Sequence, residues 1–126
     1  MYVYERDKYT LLMSYNPCDI FDYFGVNEMH GLNRKECNEH VNNTEQAYIA
    51  GWCNYIPKDE YLEADPKFIF INLSRCTDDI HTMGLVMHEC MHMSFFLHTD
   101  EEELISWAES EAYEITTIIK YLNELK

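Results

Sequence analysis

The sequence predicts one α+β domain, with a small, mainly antiparallel sheet packed on two C-terminal helices. Its 126 residues leave room for a single hydrophobic core, so residues 1–126 are expected to form one domain. Apolar residues make up 47% of the chain, which is typical of a packed globular protein rather than a disordered one. Strand-like segments come first and helix-like segments last, an order that favours an α+β fold over alternating strands and helices.

The N-terminal third predicts two strands followed by mostly irregular structure. Residues 2–15 are rich in Tyr, Val, Thr and Leu and predict two short strands around the polar tetrapeptide 5–8. Residues 19–24 fit a short helix or turn after an Asn-Pro break. Residues 30–46 are polar and charged, so we expect an exposed loop with one helical turn at most.

Two further strands are predicted in the middle of the chain. Residues 47–56 form one strand, in which Gly51 marks either a bulge or a close approach of backbone to a neighbouring element. A charged connection, 58–65, follows. Residues 67–73 (K-F-I-F-I-N-L) are apolar on both faces, which predicts a central strand.

Two helices complete the predicted fold. Thr and Asp residues at 77–79 are good capping residues for a helix that ends near Leu97. From Met83 onward this helix is apolar almost all round, so we expect it to be buried. An acidic link, 99–103, leads into a last helix at 104–125. One apolar stripe of that helix contains Leu104, Ala108, Ala112, Ile115, Ile119 and Leu122.

The charge and the cysteines restrict the class of protein. Nine basic against 23 acidic residues give a formal net charge of −14, which repels phosphate and argues against nucleic-acid binding. No apolar run approaches the roughly 18 residues of a membrane span, and the first residues lack the apolar core of a signal peptide. Five cysteines without a Cys-x-x-Cys pair favour reduced, mostly buried thiols. We therefore expect a cytoplasmic protein that binds neither nucleic acid nor membranes.

The chemistry is concentrated in the H-E-x-x-H sequence His88-Glu89-Cys90-Met91-His92. Histidines four residues apart share one helical face, so both imidazoles can reach a single metal ion. Glu89 points to a neighbouring face, close enough to act on a water molecule without ligating the metal. Ionisable groups on a buried apolar helix cost desolvation energy unless a metal or hydrogen bonds compensate them. The motif therefore predicts a Zn²⁺ site with His88 and His92 as ligands and Glu89 as the catalytic base.

A catalytic zinc site needs a third protein ligand and an open position for water. His98 gives the spacing H-E-x-x-H-x-x-x-x-x-H, which is that of the metzincins. Those proteins have a Gly where this chain has Phe95, and that Gly permits the turn which brings the third His inward. Their later Met-turn also has no counterpart, because no Met follows Met93. His98 is therefore the less favoured ligand, and we expect it near the helix end, beside the C-terminal carbonyl groups.

The other placement of the third ligand is a Glu within residues 107–113 (W-A-E-S-E-A-Y). Here the chain resembles the small H-E-x-x-H metallopeptidase-like domains of ImmA/IrrE type and related phage proteins, over roughly residues 47–126. Those domains have strands, the metal helix, and a helix with E-x-x-A followed by an aromatic residue. The resemblance thus implies a zincin-like fold with Glu109 as the third ligand. Glu111 fits the H-E-x-x-H-x18-E spacing of another gluzincin branch, so Glu111 and His98 remain alternatives to Glu109.

Three hypotheses about function follow. The first is a zinc metallopeptidase acting on a peptide or protein substrate, in which Glu89 takes a proton from water and later delivers it to the leaving amine. An extended substrate would lie against strand 47–56 if that strand is at the edge of the sheet. The second is a catalytically inactive, metal-stabilised binding module, which has no need of Glu89. The third is an acidic DNA mimic or inhibitor, which the charge of −14 permits but which leaves H-E-x-x-H unexplained.

Overall fold

The computed structural model describes residues 1–29, 32–41, 51–54 and 67–125, and these residues form an α+β fold. The strands are β1 (Tyr2–Glu5), β2 (Thr10–Ser14), β3 (Glu28–Met29), β4 (Leu32–Asn33), β5 (Gly51–Asn54) and β6 (Phe68–Asn72). The helices are α1 (Asp19–Phe24), α2 (Arg34–Val41), α3 (Asp79–Leu97) and α4 (Glu101–Glu124), with a 3-10 turn at Leu73–Arg75.

Four of these strands form one mixed sheet in the order β1-β2-β6-β5. The β1–β2 and β5–β6 pairs are antiparallel, as expected, but β2 and β6 run parallel, with Leu12 opposite Phe70. The sheet is therefore mixed, with antiparallel pairs at both edges as predicted and a parallel pair at its centre that the sequence did not predict. Strand patterns in a sequence do not encode which strands become neighbours, and a parallel pair needs a long crossover such as the one between β2 and β6. β3 and β4 form a separate antiparallel ribbon.

The central strand is β6, as its apolar sequence predicts, and all five of its residues are buried. Successive side chains of a strand point to opposite faces of the sheet. Ile69 and Ile71 accordingly belong to the apolar cluster shared with α3 and α4, whereas Phe68 and Phe70 belong to the cluster shared with α1 and α2. The sheet is therefore covered by apolar side chains on both faces.

The second face of the sheet carries one more helix than the sequence predicts. Residues 19–24 form α1, which ends at Gly25 in the left-handed conformation that favours glycine (φ 67°). The expected loop at 30–46 contains the eight-residue helix α2, so the prediction of one turn at most is wrong. Cys37 is the one buried residue among the α2 side chains that the structure describes. The sequence of α2 has so little apolar periodicity that it cannot be distinguished from that of a polar loop.

The strand predicted at 47–56 appears as β5, which covers residues 51–54. The rest of that predicted strand lies outside the described residues, as does the connection at 58–65. β5 pairs with β6 on one side. Its position next to the central strand brings it over α3, which carries the H-E-x-x-H motif.

α3 begins after Asp78, whose carboxylate accepts a hydrogen bond from the His81 backbone N–H at 2.8 Å. The expectation that α3 is buried almost all round is wrong, because Met83 is 39% exposed and Phe95 is 66% exposed. A domain of this size has too few elements to surround a helix. The buried face of α3 consists of Thr82, Val86, Glu89, Cys90, Met93 and Ser94.

α4 begins at Glu101, earlier than predicted, because the Asp100 carboxylate accepts a hydrogen bond from the Glu103 backbone N–H at 3.1 Å. Its predicted apolar stripe is buried in full. The Ser94 hydroxyl donates to the Leu104 carbonyl at 2.6 Å and joins the start of α4 to α3. Although α4 is 24 residues long, neither it nor another described helix has the length and apolar character to cross a membrane.

The burial of β6 on both faces predicts that truncating two isoleucines, one buried and one exposed, changes the free energy of unfolding by very different amounts. Ile71→Ala should lower the free energy of unfolding by about 2–5 kcal/mol, because it opens a cavity in the core. Ile80→Ala removes the same atoms from a side chain that is 85% exposed, and should change stability by less than about 0.5 kcal/mol. Chemical denaturation measures both values, and similar losses in the two variants would contradict the central position of β6.

Candidate metal centre

His88 and His92 lie one turn apart on α3 with their rings close together. The two Nε2 atoms are 3.0 Å apart, and the ring centroids are 4.6 Å apart. Solvent reaches both rings, since His88 is exposed and His92 is half-buried. The helix thus brings two potential ligand nitrogens to one point on the protein surface, as the spacing of the motif predicts.

The separation of these nitrogens fits one tetrahedral Zn²⁺ ion. With Zn–N bonds of about 2.0–2.1 Å, two ligating nitrogens lie about 3.3 Å apart. The observed 3.0 Å also suits a hydrogen bond in which one Nε2–H donates to the other Nε2. A metal ion can therefore replace a shared proton with little movement of either ring.

Glu89 stands between the histidines in sequence, but its side chain is directed into the protein. The residue is 5% exposed, and its Oε2 atom is buried without a hydrogen-bond partner among the described residues. Burial raises the pKa of this carboxyl from its ordinary value of 4.5 to about 7, because the charged form loses its hydration. A buried carboxyl with a raised pKa, next in sequence to a histidine of the pair, is typical of a general base.

β5 approaches Glu89 so closely that a larger residue at Gly51 would have to displace neighbouring side chains of α3. A Cβ atom on Gly51 would lie 2.8 Å from Cδ1 of Leu85 and 3.0 Å from Cγ of Glu89. Both distances are shorter than the ~3.5–4.0 Å at which carbon atoms rest. The close backbone approach predicted at Gly51 is confirmed, and the strand covers one side of the Glu89 side chain.

α4 packs against the side of α3 that carries Cys90 and Ser94. Ser94, which bonds to Leu104 of α4, comes two residues after His92 and so lies about 200° around the helix from it. Cys90 lies on the same side as Ser94 and shares the apolar cluster with the buried stripe of α4. Cys90 and Ser94 thus mark the side of α3 that α4 covers.

No third ligand joins the histidine pair among the described residues. Glu109, the first candidate, is exposed on α4. In the part of the chain that the structure describes, no group of three or more His, Cys, Asp or Glu side chains is placed to hold a metal. Of the predicted site, the structure brings together His88 and His92 and buries Glu89, and the third ligand stays a prediction.

Glu111, the second candidate, is engaged in a network with the β1–β2 hairpin. Arg6 donates to both of its carboxylate oxygens, from Nε at 3.2 Å and from Nη2 at 3.1 Å, and Tyr9 Oη donates at 2.6 Å. Arg6 also pairs with Glu114. Neither Arg6 nor Tyr9 was predicted as a partner of Glu111, because contacts across more than a hundred residues leave no local pattern in the sequence.

His98, the third candidate, ends α3 as its C-cap residue. Its backbone N–H donates to the Ser94 carbonyl at 2.9 Å, while its ring lies 5.6 Å from the ring of Trp107. The Nε2 atom is buried and has no hydrogen-bond partner among the described residues. His98 is thus at the helix end, as expected, but its side chain packs on Trp107 of α4.

The burial of Glu89 predicts how the stability of the metal-free protein depends on pH. Between pH 4.5 and about 7 the folded protein binds the Glu89 proton and the unfolded chain does not, so stability falls as the pH rises through this window. The loss should reach about 3 kcal/mol. Glu89→Gln should remove this decline, whereas Glu109→Gln, at an exposed position, should retain it. The free energy of unfolding is measured by chemical denaturation, in the presence of a chelator, below pH 4.5 and above pH 7. If it declines as much in Glu89→Gln as in the wild type, the prediction is wrong.

Comparison of the chain with protein-family models, with curated proteins and with solved structures finds no match. The resemblance to ImmA/IrrE-type domains therefore stays a prediction drawn from the H-E-x-x-H and E-x-x-A residues.

Proposed function

We propose that this protein is a Zn²⁺-dependent metallopeptidase with a zincin-like arrangement, in which His88 and His92 hold the metal and Glu89 is the catalytic base. One observation carries the proposal: two Nε2 atoms lie 3.0 Å apart, and Glu89, next to His88 in the sequence, has a buried carboxyl oxygen without a hydrogen-bond partner among the described residues. Burying such a group lowers stability, and a pair of histidines with a purely structural role does not need it.

In the proposed reaction, the side chain of Glu89 transfers the protons. Zn²⁺ bound here would act as a Lewis acid that polarises a carbonyl and makes water more acidic. Glu89 takes a proton from the attacking water and returns it to the departing amine nitrogen. Because burial raises the pKa of Glu89 to about 7, its carboxylate is a stronger base than an exposed one. β5 keeps one side of the carboxyl away from bulk water through its contact at Gly51.

The substrate in this proposal is a peptide or protein segment in extended form. Within the described residues β5 pairs with β6 alone, so its other edge has backbone groups available for a further strand. Peptides add to such edges through main-chain hydrogen bonds. Since Gly51 of β5 contacts the Glu89 side chain, a peptide on that edge would run past the proposed base.

A metal-binding module without catalytic activity is the second candidate function. It is favoured by one observation, that only two ligand side chains converge among the described residues. An acidic DNA mimic has the net charge of −14 in its favour but gives no role to the histidine pair. Metal binding separates the DNA mimic from the other two functions, and hydrolysis separates the peptidase from the module.

We expect His88→Ala and His92→Ala each to abolish stoichiometric Zn²⁺ binding, because each removes one of the two converging nitrogens. Isothermal titration and the metal content of the purified protein measure the effect. His81→Ala is the matched control, since His81 is an exposed histidine on the same helix that pairs with Asp78. Full Zn²⁺ occupancy in the His88→Ala protein would rule out the proposed site.

The third ligand can be identified by three further variants. Glu109→Ala should weaken Zn²⁺ binding by at least about 10–100-fold, the loss typical even of groups that only support a ligand. Glu111→Ala should instead lower stability, because Arg6 and Tyr9 lose their partner. If Glu111→Ala loses the metal and Glu109→Ala keeps it, Glu111 is the third ligand and the H-E-x-x-H-x18-E spacing is correct. If only His98→Ala releases the metal, the metzincin-like spacing is correct.

Glu89→Gln tests the catalytic role. The amide keeps the size of the side chain, so Zn²⁺ binding should remain while peptide hydrolysis falls by about two to four orders of magnitude. A diverse library of quenched fluorogenic peptides provides the assay. Glu109→Gln is a second variant, in which hydrolysis should continue if the new carboxamide still binds Zn²⁺. Absence of hydrolysis in the fully Zn²⁺-loaded wild-type protein would favour the binding module.

A further inference from the structure

Cys18 and Cys37 form a buried pair on the face of the sheet opposite α3. Their Sγ atoms are 2.8 Å apart, and both residues are thiols in this structure. Heavy atoms that are not bonded rest at about 3.5–4.0 Å, so the two sulfurs are closer than an ordinary contact. A disulfide bond, at about 2.05 Å, requires them to approach by less than about 1 Å more.

We propose that Cys18 and Cys37 are oxidised to a disulfide bond that fastens α2 to the start of α1. Cys37 is the one buried residue among the described side chains of α2. Arg34 also ties α2 to its surroundings, through a hydrogen bond to the Val26 carbonyl at 2.9 Å and an ion pair with Asp22. A covalent bond at Cys37 would anchor α2 far more firmly than these contacts do.

Among the described cysteines, Cys18 and Cys37 are the pair whose sulfur atoms are in contact. Cys76 and Cys90 are also buried, but no sulfur–sulfur contact involves either of them among the described residues. Cys18 and Cys37 stand 19 positions apart, so a bond between them closes a loop in the unfolded chain and reduces its conformational freedom. The oxidised protein should therefore be the more stable form.

The reaction is a two-electron oxidation by a small-molecule disulfide such as oxidised glutathione. Cys18 is 6% exposed and Cys37 is fully buried, so the oxidant reaches Cys18 first. The Cys18 sulfur gives up its proton and attacks one sulfur of the oxidant, whose S–S bond breaks to release one small thiol. The Cys37 sulfur then gives up its proton, attacks the Cys18 sulfur and releases the second small thiol. The protein loses two hydrogen atoms and the oxidant gains them.

Oxidation of Cys37 should be slow while the fold is intact. Burial raises the pKa of the Cys37 thiol, and the neighbouring Cys18 thiol raises it further. Because the thiolate is the nucleophile, a raised pKa leaves little of the reactive form. The bond therefore suits a lasting link formed during folding better than a rapid redox signal.

The test refolds the reduced, denatured 126-residue chain in the presence of oxidised glutathione and then denatures it again for thiol titration and non-reducing peptide mass spectrometry. Of the five thiols, two should be lost, and one cross-linked peptide should join Cys18 to Cys37. The thermal unfolding midpoint should rise by about 5–15 °C and return after reduction. All these measurements are made on the wild-type protein, so they do not depend on whether a variant folds.

Two variants give the matched comparison. Cys18→Ser should prevent the loss of thiols, whereas Cys76→Ser, at a position of similar burial (7% exposed), should leave the cross-link unchanged. The proposal is overturned if all thiols remain titratable after oxidation, if the cross-link joins another pair, or if the midpoint falls when the bond forms. None of these outcomes depends on the proposed metallopeptidase activity.

Discussion

Every part of the candidate site depends on how α3 rests on the sheet. Val86, Cys90 and Met93 are buried in the core, and the 3.6-residue period of the helix then places His88 and His92 on the accessible side. Close packing does not let such a helix turn about its axis without opening cavities. The apolar core therefore fixes where the two imidazoles stand, and their 3.0 Å approach is a consequence of packing as much as of spacing.

The burial of Glu89 lowers the stability of the fold, while the proposed chemistry needs its carboxyl in the ionised form. It occupies a core-facing position, its carboxyl is beside Gly51 of β5, and the surrounding chain carries a net charge of −14. Each of these features disfavours the ionised form of the carboxyl. A divalent cation at the histidine pair would favour that form, since opposite charges stabilise each other in a poorly hydrated site. Metal binding and ionisation of the proposed base should therefore strengthen each other.

Local signals in the sequence were enough to predict the elements that form the site. The apolar run of β6, the capping residue Asp78, the histidine spacing and the apolar stripe of α4 all act over short stretches of chain. The structure confirms the strand, the two helices and the buried stripe that they predict. The parallel pairing of β2 with β6 and the bonds from Arg6 and Tyr9 to Glu111 depend on contacts between distant segments. No pattern in one segment encodes them. α2 was missed because it lacks an apolar stripe.

The contacts around α4 bear on what kind of metal site this is. Ser94 joins α3 to α4, and Glu111 joins α4 to the β1–β2 hairpin through Arg6 and Tyr9. These bonds, with the buried stripe of α4, hold the last helix in place without a metal ion. A structural zinc site surrounds its ion with four protein ligands and supplies folding energy, whereas a catalytic site keeps a position open. A solvent-accessible pair of histidines on α3, beside the independently anchored α4, has the open position that the proposed catalytic site requires.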